Sequence, residues 1–133
     1  MANTTFSGPV RSQNGFQSIS INSTSGAVTV NSSFGTDVVL GTQSLSGAGA
    51  VDVTNAFTSL TTSGVAQALT LADGSVGELK VIVHTVDGGS ALLTPTTKIG
   101  FSTVTFTAVG DSVTMIYTAA GWAILASRGV TIA

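Results

Sequence analysis

The feature that most constrains this chain is the rhythm of its second half. Short β-branched and apolar runs occupy residues 66–71, 78–86, 91–93, 103–108, 112–118 and 122–127. Their composition favours strands over helices. Between them lie 72–74, 87–89, 109–111 and 119–121, each holding a Gly or Asp of the kind tight turns use for positive φ or side-chain-to-backbone bonding. Strands at this spacing predict an all-β fold: an antiparallel β-sandwich, jelly roll or small barrel. Side chains alternate along a strand, so Val104 and Phe106 oppose Thr103, Thr105 and Thr107. Likewise Val113, Met115 and Tyr117 oppose Ser112, Thr114, Ile116 and Thr118. One face packs and the other is rich in hydroxyls. The predicted β core is therefore Val104, Phe106, Val113, Met115 and Tyr117. Trp122 opens the last strand after Gly121, where it seals one end of the core and can donate its indole N–H to a loop carbonyl.

Upstream, Ile19 and Ile21 alternate with polar neighbours, residues 23–26 make a turn, and Val28 and Val30 resume the alternation, which predicts a hairpin. Residues 31–55 are weakly patterned because Gly35, Gly41, Gly47 and Gly49 interrupt any period. Short strands at 38–40 and 51–53 are the candidates there, and the recurring Gly disfavours a helix. Residues 1–16 read as an extended N-terminal arm ahead of a single β domain over 17–133. Phe6 and Phe16 suit anchoring in pockets of a neighbouring subunit, and equally suit capping of the chain's own core. Pro9 limits the entropy lost on ordering, and Arg11 is the arm's one charge.

Charged residues make up 8% of the sequence, against about 25% in an average soluble protein. A surface so poor in charge is suited to being covered by neighbouring molecules, which predicts an assembly protein, self-associating as a homo-oligomer. The four basic residues, Arg11, Lys80, Lys98 and Arg128, are scattered and cannot form the stripe that nucleic acid requires. With no Cys there are no disulfides and no thiolate metal sites. The polar start carries no leader pattern and no apolar run is long enough to span a bilayer, so neither secretion nor a membrane partner is expected.

The residues that could carry chemistry are few. His84 is the only histidine, and Asp87 follows it three residues later, but alternation along a strand sets the two on opposite faces. No nucleophile elbow of the Gly-x-Ser-x-Gly type accompanies them. The carboxylates Asp37, Asp52, Asp73, Glu78, Asp87 and Asp111 are well separated and most fall at expected turns. They supply neither an acid–base pair nor a calcium loop, and a single His without Cys cannot build a zinc site. Gly47-Ala48-Gly49 lacks the further Gly or the Lys of a phosphate loop. The expectation is a non-enzymatic protein with no catalytic residue, metal or cofactor.

Two stretches resemble small structural proteins of tailed phages, especially marine and cyanobacterial ones. The first is Ala2-Asn3-Thr4-Thr5-Phe6-Ser7-Gly8-Pro9-Val10-Arg11-Ser12 with Asn14-Gly15-Phe16, which looks like the N-terminal arm of such virion proteins. The second runs from Asp73-Gly74 through Gly77-Glu78-Leu79-Lys80, Gly88-Gly89-Ser90-Ala91-Leu92-Leu93-Thr94-Pro95 and Phe106-Thr107-Ala108-Val109-Gly110-Asp111-Ser112-Val113 to Gly121-Trp122. The resemblance implies a capsid decoration, or cement, protein. Such a protein forms a homotrimer on the outer surface of the head and binds the major capsid protein. A tail-fibre, spike or knob subunit engaged in host attachment is the alternative.

Overall fold

The computed structural model describes residues 16–34 and 39–133. The chain divides into two compact units, Met1–Val39 and Leu40–Ala133. That boundary falls inside the stretch 17–133 expected as one β domain. In the first unit β1 (Phe16–Ile21) and β2 (Val28–Phe34) form the antiparallel hairpin that the alternation predicts, with Ile19 opposite Val30 and Ile21 opposite Val28. Asn22 ties the turn: its Oδ1 accepts the backbone N–H groups of Thr24 at 2.9 Å and Ser25 at 3.0 Å. Phe16 begins β1 opposite Phe34. Phe6, Pro9 and Arg11 of the expected arm lie outside the described residues.

The second unit consists of β3 (Thr42–Ser46), β4 (Gly49–Val51), β5 (Phe57–Thr61), β6 (Gln67–Leu71), β7 (Leu79–Val86), β8 (Ala91–Pro95), β9 (Val104–Phe106), β10 (Ser112–Thr118), β11 (Gly121–Arg128) and β12 (Thr131–Ile132). No helix occurs among the described residues. The strands form two five-stranded sheets: sheet I in the order β11-β10-β7-β5-β3 and sheet II in the order β12-β9-β8-β6-β4. The sheets share one apolar core and do not close, so the unit is an all-β sandwich rather than a barrel.

Pairing within the sheets departs from the antiparallel expectation. From β3 to β8 each strand crosses to the opposite sheet, so β3, β5 and β7 run parallel in sheet I and β4, β6 and β8 run parallel in sheet II. The chain thus winds as a coil of three two-stranded rungs. Only after β8 does it turn antiparallel: β9 and β12 extend sheet II, while β10 and β11 extend sheet I. The physical reason is that a Gly-bearing turn reverses the chain without stating whether the next strand pairs beside the last or faces it across the core. The Gly88–Gly89 turn makes such a crossing. A side chain at either glycine would collide with the backbone of residues 62–65, so the close approach of two backbones requires Gly there.

Sheet I supplies Leu60, Ile82, Val113 and Met115 to the core, and sheet II supplies Leu69, Leu93, Val104 and Phe106, all fully buried or nearly so. Trp122 is fully buried, donates its indole N–H to Ala72 O at 2.9 Å, and packs edge-on against the half-buried Tyr117 with ring centroids 5.2 Å apart. Residues 39–40 form no strand. β5, which the sequence pattern did not single out, is the middle strand of the coil in sheet I.

Candidate functional site

The inner face of β7 holds the most unusual side chains of the protein. The strand alternates, but Lys80, Ile82 and His84 point into the sandwich while Leu79, Val81 and Val83 point out. A binary pattern would assign the opposite phase, because Leu79, Val81 and Val83 are the apolar set. The inversion holds because each buried polar group finds partners. The Lys80 ammonium donates to Asp52 O at 2.7 Å and Asn55 O at 2.6 Å, pinning the turn between β4 and β5. Burial holds its pKa below the ordinary 10.5, against the opposing pull of the Asp52 and Glu78 carboxylates.

Three hydrogen-bonding groups meet at the Thr62 hydroxyl. Its hydroxyl donates to Gly89 O at 2.8 Å and accepts the Gly88 N–H at 2.9 Å. With its one hydrogen used, its 3.0 Å contact to His84 Nε2 is made with the imidazole N–H as donor. His84 Nδ1 is buried without a partner, and the edge of the Phe106 system lies beside the ring at a centroid distance of 6.5 Å. His84 therefore latches the Gly88–Gly89 crossing. It is fully buried, with its donor nitrogen already engaged. Asp87 takes no part in this network: it accepts the Gly89 N–H at 2.8 Å within its own turn.

The other described carboxylates hold turns or tie one loop to another. Asp52 accepts the Asn55 N–H at 2.7 Å and the Asn55 amide at 2.7 Å. Asp73 receives both the N–H and the hydroxyl of Thr97 at 3.0 Å, and Glu78 receives the Ser75 N–H at 2.7 Å. Asp111 accepts the N–H groups of Thr107 at 2.7 Å and Ala108 at 3.0 Å. Burial works to raise the Asp111 carboxyl, but these donors outweigh it and leave its pKa below the ordinary 3.8. Asp52 is lowered in the same way: burial opposes, and the Asn55 and Thr54 donors and the Lys80 charge prevail. Asp37 lies outside the described residues. Among the described residues no three His or acidic side chains gather as a metal site.

With the interior polar groups committed to structure, the surface is where function has to be sought. On the outer face of sheet I, Leu79 stands in a row with Ile116 and Ala123, and Phe57 stands in a row with Val81 and Thr114. Leu79 is 48% exposed, and Phe57, Val81, Val83 and Ile116 are partly exposed, so an apolar strip runs over the middle of the sheet. Sheet II has a different outer face: Ala50, Thr70 and Thr94 form one row, and Ala68, Leu92, Thr105 and Thr131 another. Arg128, the last residue of β11, is the only exposed charge within any described strand. Near β11 and β12 an open groove of about 390 Å³ is lined by Ile99, Gly100, Phe101, Ala123, Ile124 and Ile132. Ala123 belongs to both strip and groove.

Sequence reasoning missed the strip. The available signal was the apolar set Leu79, Val81, Ile82 and Val83, too apolar for one face of a surface strand unless covered. No protein-family model matches the chain, and no match was found among curated proteins.

Proposed function

We propose that this chain is a structural virion protein, a capsid decoration (cement) protein whose copies associate on the outer surface of the head and clamp the major capsid protein. The resemblance in its first sixteen residues and its second half suggests this class, with a trimer as the assembled form. One observation carries the reading: the inverted phase of β7, which turns Lys80 and His84 inward and Leu79, Val81 and Val83 outward. Apolar surface left in water forgoes roughly 25 cal/mol for each Å² that a partner could bury, so an apolar strip on a charge-poor sheet is a surface suited to contact. A decoration protein needs only modest affinity at each contact, because many copies reinforce one shell. The role is structural and involves no catalysis.

A second reading, a tail-fibre or spike subunit, draws on a different observation. The parallel rungs of β3 to β8 stack along one axis, the construction by which repeat proteins lengthen into shafts. The copy number of this chain relative to the major shell protein, measured in purified virions by quantitative mass spectrometry, separates the two. Near-stoichiometric abundance supports the decoration reading and a few copies per particle supports the fibre. Absence from the particle sinks both.

A further inference from the structure

The sandwich has four edge strands, and three are protected against pairing with another chain. Edge strands present unpaired N–H and C=O groups, which proteins blunt by shortening the strand, kinking it, charging it or covering it. β12 is two residues long. β4 is three residues long, and the Gln43 amide lies against it, donating to Ala50 O at 2.9 Å and accepting the Asp52 N–H at 3.0 Å, as a peptide group of a neighbouring strand would. β11 is bulged against β10, ends in Arg128, and is bridged at Trp122 by residues 97–99.

Within Leu40–Ala133, β3 has none of these devices. It is five residues of Thr-Gln-Ser-Leu-Ser, pairs with β5 on one side, and has no strand on the other among the described residues. It carries no charge, no Pro and no bulge. Its outward side chains, Thr42, Ser44 and Ser46, are small, uncharged and exposed.

We propose that the open edge of β3 is a two-fold contact between copies of this chain, β3 pairing antiparallel with β3 of a second copy. An antiparallel two-fold centred on Ser44 sets Ser44 opposite Ser44 and Thr42 opposite Ser46. Both are hydroxyl pairs of a kind that stabilises cross-strand neighbours, and no like charges meet. The same edge serves both partners, so the contact closes on itself. A head-to-tail filament would need a second edge as open as β3, and the other three are short, bulged or partly covered. The product is a continuous ten-stranded sheet made from two copies of the five-stranded sheet I, with both apolar strips on it. The inference rests on the self-assembly part of the proposed function and deepens it: copies join at β3 and leave the strip for the shell. If the copies are also trimeric through another surface, the two-fold joins trimers in pairs.

The test uses the full chain as wild type, Ser44→Lys, Ser44→Glu and an equal mixture of the two variants, compared by native mass spectrometry and sedimentation velocity over a concentration series. Wild type should populate even-numbered species. Each variant alone sets like charges opposite each other and should weaken that step about tenfold or more, and the mixture should restore it as a mixed species. Restoration also shows that the variants are folded. If Ser44→Lys associates as wild type does, or the mixture fails to rescue, the β3 contact is overturned while self-assembly stands. A wild type monomeric at every concentration overturns both.

Discussion

Sheet I and sheet II wall the same core, yet the central strand of sheet I treats side-chain polarity in the opposite way. Sheet II follows the usual rule, with Leu69, Leu71, Leu93 and Val104 inside and Ala50, Ala68, Thr70 and Thr94 outside. In sheet I the central strand buries an ammonium and an imidazole and exposes Leu79 and its neighbours. Burying a charge costs several kcal/mol unless its hydrogen bonds are made good, so the inverted strand is the less economical way to fill a core. Polar latches between turns fix the phase of β7, and this frees three apolar side chains for the outside.

Removing a latch should have the largest effect. Lys80→Ala leaves Asp52 O and Asn55 O without their buried donor and opens a cavity, and should cost about 3–5 kcal/mol by denaturant melts. Lys80→Met restores most of the volume but neither hydrogen bond, and should still cost about 2 kcal/mol. Leu69→Ala in sheet II should lose a similar total through the cavity alone. The latch account requires hydrogen exchange at Asn55 to accelerate in both Lys80 variants and to be unaffected in Leu69→Ala. If Lys80→Met is as stable as wild type, the ammonium is not what holds the turn.

The part of this fold that was legible is the part that obeys binary pattern. Val104 and Phe106 on β9, and Val113 and Met115 on β10, alternate with hydroxyl residues and are buried as the alternation requires. Trp122 after Gly121 is likewise placed by a local signal. β7 was legible as a strand but not in phase, since what decides its phase is a pair of carbonyls in a turn some twenty-five residues away. The parallel coil was hidden for a related reason. Thr42, Phe57 and Val81 share one row, and Gly49, Leu69 and Leu93 another, so successive rungs take unequal lengths of chain and leave no fixed repeat. β5 escaped notice because Thr58, on its inner face, is polar and buried, bonded at 3.0 Å to Gln43 Oε1.

A smaller effect compares the coil with its antiparallel extension. Each is buckled by one carboxylate whose folded pKa lies below 3.8: Asp52 in the coil and Asp111 between β9 and β10. A folded pKa below the unfolded one means that the unfolded chain binds more protons in between. The stabilisation is therefore complete above about pH 3.8 and is lost as pH falls through the folded pKa. Asp111→Asn should cost about 1–2 kcal/mol at neutral pH, since charge-assisted bonds become neutral ones, and should flatten the acid limb of the stability curve. Asp52→Asn should act in the same direction and additionally loosen the turn that Lys80 pins. An unchanged acid limb in both variants would show that other groups govern acid unfolding.

The smallest change in stability is expected on the outer faces, where folding and contact separate. Val81→Thr keeps the β-branched shape and the strand preference of Val81 while placing a hydroxyl in the middle of the apolar strip. Leu92→Thr makes a comparable change on sheet II, where Leu92 is 38% exposed between Ala68 and Thr105. Both positions face outward, so each variant should melt within about 0.5–1 kcal/mol of wild type. On the proposed function they part company in co-sedimentation with purified shell particles. Val81→Thr should weaken binding severalfold and Leu92→Thr should bind as wild type does, because only the strip on sheet I is held against the shell. Equal binding by both would remove the strip from the interface, and loss confined to Leu92→Thr would move the contact to sheet II.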